Sequence, residues 1–351
     1  MFEISDQREE RVRDILDGLM SISEVGSEKF RITVIGEFIS PQRDAIKLVG
    51  ERAKSYGLLP LFRRKKDKVL VQFVKKPQPP QKSNYKINII LFVLTILTTM
   101  FAGALQQGVH PIFKIYEGIP FSITIILILG SHEFGHYFAS KRLGISATLP
   151  YFIPFPHLIG TFGAVIKVKE PITDRRALVE IGAAGPIVGM IFAIPAVIIG
   201  LKLSTVVPVQ EGGLTIGNSL LFSLISKVVI GEIPPGKDIL LHQVAFAGWI
   251  GFFVTALNLL PMGQLDGGHV IYGFIGKYQK WVGWVFFCSL FVFGFLWPGW
   301  FLWAVLILWF VKVQHPAPLD DVTPIAFKHK FIAIVAIIIL ILTFIPAPFR
   351  I

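Results

Sequence analysis

Long apolar runs limit what this chain can fold into more than any other feature. Residues 87–105, 121–140, 177–201, 239–260, 281–296, 300–311 and 331–345 are dominated by Ile, Leu, Val, Phe, Ala and Gly. An α-helix needs about 20 apolar residues to cross the hydrocarbon of a bilayer, and four of these runs approach that length. In hydrocarbon every backbone amide must be satisfied within its own segment, so such runs read as helices rather than isolated strands. Charged residues make up only 16% of the 351, and mean hydropathy is +0.64. A soluble chain is typically about 25% charged. The expectation is a polytopic α-helical membrane protein with about six or seven transmembrane helices. The range reflects two short runs, 281–296 and 300–311, joined by Trp297-Pro298-Gly299.

The first 76 residues have a different character. Residues 8–20 carry Val12, Ile15, Leu16 and Leu19 on one helical face. Residues 30–38 alternate as a strand does. Residues 41–56 suit a second helix, and 58–62 and 68–73 suit two strands about the basic turn 63–67. Together they predict a small N-terminal α+β cytoplasmic domain over 1–76. A Pro-rich polar linker over 77–86 follows. The membrane core then spans 87–280, with additional C-terminal transmembrane helices over 281–351.

The formal net charge is +11. In a membrane protein such an excess gathers on the cytoplasmic side and does not imply a nucleic-acid partner. With the N-terminus inside, the inside loops hold Lys141, Arg142, Lys167, Lys169, Arg175, Arg176, Lys277, Lys280, Lys312, Lys328 and Lys330. The outside loops hold Lys114, Lys202, Lys227, Lys237 and Arg350. This bias puts the N-terminus and the end of the second run on the cytoplasmic face. Residues 1–10 are charged rather than apolar and do not read as a signal or transit peptide. The composition is rich in Ile and Lys, and the expected setting is the inner membrane of an archaeon or bacterium. The single cysteine, Cys288, forms no intrachain disulfide.

Within the second run stands the sequence HEFGH. His132 and His136 are four residues apart, so on a helix both imidazoles project from one face and reach one ion. Glu133 is beside them, able to reach a water on that ion without ligating it. Zinc brings the pKa of such a water near 7, and a glutamate can accept its proton. A five-residue pattern can arise by chance. A carboxylate at membrane depth costs about 2.5–3.5 kcal/mol on insertion scales, however, which favours a functional reading.

A third ligand must come from elsewhere, because Ala139 and Arg142 stand where a longer Gly/His zinc motif would continue. Glu170 and Asp174 lie in a basic polar loop and read as solvated. Glu180 reads as an ion-pair partner of Arg175 and Arg176. Asp266 follows a helix break at Pro261 and Gly263, and unwound backbone at membrane depth is tolerated only where it is buried or lines a wet cavity. Asp266 is therefore the preferred third ligand, with His269 as its competitor. His110, His157 and His242 show no i, i+4 pairing and read as loop or packing residues.

HEFGH followed by Asn258-Leu-Leu-Pro261-Met-Gly-Gln-Leu265-Asp266-Gly267 resembles the site-2 protease family of intramembrane metalloproteases. The segments 160–165, 184–186 and 242–249 are similar to its archaeal and plastid branch, named for ethylene-dependent gravitropism-deficient and yellow-green proteins. The resemblance implies one zinc ion per chain on His132, His136 and Asp266, with Glu133 as general base. It implies assistance by Asn258 at the oxyanion, against a plain helix-packing hydrogen bond for that residue. It implies an intramembrane zinc metalloendopeptidase whose partners are transmembrane protein substrates and the lipid bilayer, active in regulated intramembrane proteolysis. The alternative is a metal transporter or a non-proteolytic membrane zinc protein. That reading is weakened because the sequence has no evident inverted repeat and no His-rich loop.

Residues 161–169, after Pro154, Pro156 and Gly160, have strand character. They are expected to form a membrane-associated β-hairpin near the metal, where an extended substrate could add as a further strand. A surface hairpin that only links two helices is the simpler alternative.

Overall fold

The computed structural model describes residues 3–28, 31–76, 85–209 and 215–350. Two compact units emerge. The first comprises Met1–Gln81, Pro171–Leu178 and Ala317–Ala326, and the second holds the remainder.

In the first unit, helix α1 (Glu3–Leu16) leads into strands β1 (Met20–Glu28) and β2 (Arg31–Phe38). Helix α2 (Gln42–Ser55) and strands β3 (Leu58–Lys65) and β4 (Lys68–Lys75) follow. The antiparallel sheet has the order β1-β2-β4-β3. The first helix stops four residues short of its expected end at residue 20. Gly18, at φ +66°, turns the chain, and Met20 opens a strand instead. β1 was not expected, because its sequence MSISEVGSE is largely polar. Its pairing with β2 supplies what its side chains do not. On β4, alternate residues Val69, Val71 and Phe73 turn inward against Ile15, Leu16, Val49 and Ala53.

β3 is not an open edge. The Phe62 amide donates to the Leu319 carbonyl at 2.8 Å, and the Asp321 amide donates to the Phe62 carbonyl at 3.2 Å. The amides of Leu319 and Asp320 in turn donate to the carbonyls of Ile172 and Thr173 at 3.0 and 2.8 Å. The Arg63 guanidinium adds bonds to the carbonyls of Pro318 and Leu319. Two segments from far along the sequence thus cover an edge that would otherwise present unpaired amides.

Asp174 caps the helix that begins at Arg175. Its carboxylate accepts the amides of Arg176 and Ala177 at 2.8 and 2.9 Å and the Arg176 guanidinium at 2.6 Å. Burial pushes the carboxyl up, but Arg176 and the two amides outweigh it and hold the group below its ordinary value. A lowered folded pKa contributes stability above the unfolded carboxylate pKa, and that stability is lost as pH falls through the folded value. Asp174→Ala is therefore expected to cost about 1 kcal/mol at neutral pH. Melting in detergent should show a Tm difference from wild type that shrinks on acidification; a pH-independent difference would exclude this linkage.

The second unit opens with α3 (Tyr85–Gln106) and α4 (Ile119–Arg142), followed by strands β5 (Tyr151–Pro154) and β6 (Thr161–Val165). It continues with α5 (Arg175–Lys202), β7 (Thr205–Pro208), β8 (Thr215–Ile216), α6 (Leu220–Val229) and β9 (Lys237–Leu240). Helices α7 (Gln243–Asn258), α8 (Asp266–Ile275) and α9 (Gln279–Gly294) come next. Then α10 (Gly299–Leu306) runs into a π-helical turn over Ile307–Val311, and α11 (Phe327–Thr343) and β10 (Phe349–Arg350) end the fold. Among the described residues, three helical segments are long and apolar enough to cross a membrane: α3, Ile115–Arg142 and α5. By length, α7, α9 and α11 fall short, at 16, 16 and 17 residues. The run expected over 239–260 starts as strand β9, and its helix begins only at Gln243.

α7 is the buried axis of this unit. Trp249 and Phe252 are wholly buried, and the Trp249 indole donates to the Gly217 carbonyl at 2.7 Å. Gln243, at its start, accepts the Phe121 amide and donates to the Glu117 carbonyl. Where α7 gives way to α8, the chain is unwound over 259–265. A Cβ on Gly267 would lie 1.8 Å from the Leu259 carbonyl oxygen, so only glycine allows this return. The wholly buried Gln279 donates to the carbonyls of Pro261 and Val313 at 3.0 and 3.1 Å and accepts the His315 amide at 3.0 Å. The Gly263 amide donates to the Val313 carbonyl at 2.9 Å. These bonds supply partners for polar backbone that an apolar interior could not otherwise hold.

Candidate metal centre

α4 carries HEFGH near its C-terminal end, and the four-residue spacing sets the two histidines one turn apart. His132, Glu133 and His136 are 4%, 7% and 5% exposed. The Nε2 atoms of His132 and His136 are 3.2 Å apart. Asp266, the first residue of α8, brings its Oδ2 to 3.2 Å from each of them. The three atoms therefore form a triangle with equal sides. A tetrahedral zinc with bonds of about 2.0 Å sets its donors about 3.3 Å apart, so this set fits zinc in size as well as in chemistry. Two neutral imidazoles and a carboxylate leave a fourth position for water.

Surrounding groups aim the ligands. His136 Nδ1 is 2.7 Å from the Ile181 carbonyl. A carbonyl can only accept, so Nδ1 carries the hydrogen and Nε2 offers its lone pair to the triangle. α5 presses on the cluster through glycines. A Cβ on Gly185 would lie 2.1 Å from His136 Nε2, and one on Gly189 would lie 3.3 Å from His132 Nδ1. Glu133 stands outside the triangle, its carboxylate within 4.8 Å of both histidines. It accepts a backbone hydrogen bond from Ile166, just beyond β6. Asn258, the last residue of α7, has its Nδ2 3.4 Å from His132 Nε2.

The hairpin expected near the metal pairs β5 with β6 through Tyr151–Val165 and Pro154–Thr161. The ribbon extends outward where the Thr148 amide donates to the Lys167 carbonyl and the Lys169 amide to the Ser146 carbonyl. Its contact with Glu133 through Ile166 is the link between hairpin and cluster.

The other candidates lie elsewhere. Glu170 accepts the Ser146 hydroxyl at 3.1 Å, and Asp174 is a helix cap rather than a solvated carboxylate. Glu180 does form ion pairs, but with Arg142 at 2.6 Å and His329 at 2.9 Å rather than with Arg175 and Arg176. Arg176, one helical turn away, is instead taken by Asp174 at 2.6 Å. His269 Nδ1 meets His315 Nε2 at 2.7 Å. His242 caps α7, His110 packs on Phe113 and His157 on Phe155. Sequence reasoning missed the Ile181 carbonyl, Gly185 and Ile166. Gly182, Gly185 and Gly189, spaced along one face of an apolar helix, were a usable sign of close helix approach. A carbonyl or amide leaves no sign in side-chain chemistry.

Two histidines, an aspartate and a neighbouring glutamate are thus gathered inside an apolar helical unit. Residues 120–292 match the family described as Peptidase family M50. The chain is 29% identical over 354 residues to "Probable zinc metalloprotease EGY1, chloroplastic" of Arabidopsis thaliana, covering 92% of this chain and 62% of that protein. It is 26% identical over 355 residues to the protein of the same name from Oryza sativa subsp. japonica, covering 93% and 59%. It is 28% identical over 275 residues to "Probable zinc metalloprotease EGY2, chloroplastic" of Arabidopsis thaliana, covering 74% and 48%. The chain thus spans 62% or less of the length of these relatives. No solved structure matches it.

Proposed function

We propose that the chain is an intramembrane zinc metalloendopeptidase that hydrolyses peptide bonds in transmembrane segments of other membrane proteins. The observation that carries this reading is the equal-sided triangle of His132, His136 and Asp266 with Glu133 held just outside it. These three residues would hold one zinc ion per chain. When bound, zinc supplies Lewis-acid polarisation of the scissile carbonyl and acidifies a water at its open position. Glu133, steadied by Ile166, takes the proton from the attacking water and delivers it to the leaving amine. Asn258 donates its amide N–H to the oxygen that gains negative charge. Sparing Glu133 from ligation leaves it free for this proton work.

A substrate helix shields its own peptide bonds and must be extended before attack. The β5–β6 ribbon beside Glu133 supports a reading in which the substrate adds to it as a strand. We further read α3, α4 and α5 as full spans, with α7, α9 and α11 completing a set of six or seven with α10. Lys141 and Arg142, at the end of α4, support a cytoplasmic active-site side. The test uses purified chain in detergent with a generic single-span substrate. Cleavage is expected to stop on chelation and return with added zinc. Zinc flux into vesicles with no cleavage under any condition would instead support a transporter.

A further inference from the structure

In the first unit a cleft of about 670 Å³ lies against α2, β3 and the two late segments that cover β3. Ala45, Val49 and Ala53 turn one face of α2 into the core. The face that lines the cleft carries Arg43, Lys47, Gly50 and Lys54, spaced as one helical stripe. Lys76 adds a further cation, and Leu58, Pro60 and Leu319 supply an apolar floor.

The charge is not balanced internally. Of the lining carboxylates, Asp174 pairs with Arg176, and Asp320 accepts the amides of Val322 and Thr323. Asp44 and the amide-bonded Asp320 then face Arg43, Lys47, Lys54 and Lys76, four cations against two carboxylates, and none of the four cations is in an ion pair among the described residues. The Thr323 hydroxyl in the wall is buried and has no hydrogen-bond partner. Gly50 is the other pointed observation. A Cβ there would meet nothing within 4 Å, so this glycine is not required by packing or by φ. Mid-helix glycine costs about 1 kcal/mol against alanine, and here it keeps the cleft open between two lysines.

We infer that this cleft binds a small phosphate-bearing metabolite with an apolar or aromatic body, the phosphates on Arg43, Lys47 and Lys54 and the body on Leu58, Pro60 and Leu319. The volume falls in the range of small-molecule sites, about 300–1,000 Å³. Lysines bind phosphate as point charges and arginine as a fork, which suits a flexible polyphosphate.

The test uses the full chain in detergent, with ATP and inorganic pyrophosphate as probes, by calorimetry at two salt concentrations. Wild type is expected to bind ATP saturably at one site and pyrophosphate more weakly. The double variant Lys47→Glu with Lys54→Glu should weaken ATP binding about 30-fold or more, with a smaller salt dependence. Gly50→Leu keeps every charge and improves helix propensity, and it should still weaken ATP about 10-fold by filling the cleft. Retained zinc content and an unchanged melt show that the variants fold. No saturable binding of either probe overturns the proposal. Wild-type affinity in Gly50→Leu also overturns it, by reducing the effect to attraction at a basic surface. Binding to phosphatidylglycerol vesicles that the double variant loses, with no ATP site, assigns these cations to a membrane surface and overturns it too.

Discussion

Glu133→Gln is expected to leave one zinc on the chain and to reduce cleavage by about 10³-fold, within the range for removing a general base. Glutamine keeps the size and the hydrogen-bond acceptor that meets Ile166 but cannot take a proton at neutral pH. Glu133 makes no side of the ligand triangle, so His132, His136 and Asp266 remain as they were. Zinc content by atomic absorption and turnover of a single-span substrate are read on the same preparation. If zinc is lost together with activity, Glu133 is a ligand and the assignment of roles is wrong. If activity survives, proton transfer runs through another group.

Gly185→Ala is expected to be nearly as damaging, by a different route. An added Cβ would stand 2.1 Å from His136 Nε2, the atom that meets Asp266 and His132. The backbone of α5 cannot retreat, because the Ile181 carbonyl on the same helix holds His136 Nδ1 at 2.7 Å. The imidazole must swing away and forfeit both contacts. Losing an aimed ligand costs at least the 10–100-fold in metal affinity typical of its supporting partners. Zinc titration against a competing chelator checks this, with Gly189→Ala as comparison. There the contact would be 3.3 Å, which a small shift relieves, and a mild effect is expected. Equal zinc affinity in wild type and Gly185→Ala would sink the geometry described for α5.

How much of this was legible in the sequence follows from what each element depends on. HEFGH was legible because helical spacing alone brings His132 and His136 together. Asp266 was legible because a proline and glycines beside a carboxylate are out of character in an apolar run. The hairpin over 161–169 was legible from its alternation, but its approach to Glu133 rests on a backbone amide, which any residue could supply. β1 was hidden because its polar sequence borrows order from β2. The partners of Glu180, Arg142 and His329, were hidden because both lie far away in sequence, while its helical neighbour Arg176 is drawn to the capping Asp174. By sequence, residues 171–178 fall within the membrane core over 87–280 and 317–326 among the C-terminal helices over 281–351, yet their amides and carbonyls complete the sheet of the first unit. Long-range pairing of that kind has no local signature.

The unwound stretch between α7 and α8 bears on when the centre can exist during synthesis. Its carbonyls at Pro261 and Val313 are tied by Gln279, and Gly263 is tied to Val313. A growing chain has both histidines when about two-fifths of it is made. The backbone that presents Asp266 gains its anchors only after residue 313 has emerged. A ribosome-bound chain that stops short of that point carries an imidazole pair without a fixed carboxylate. Because binding strength rises steeply with the number of aimed ligands, metal capture is a late event, coupled to completion of the last helices. On the proposed function, a partial chain would lack the complete ligand set that peptide hydrolysis needs.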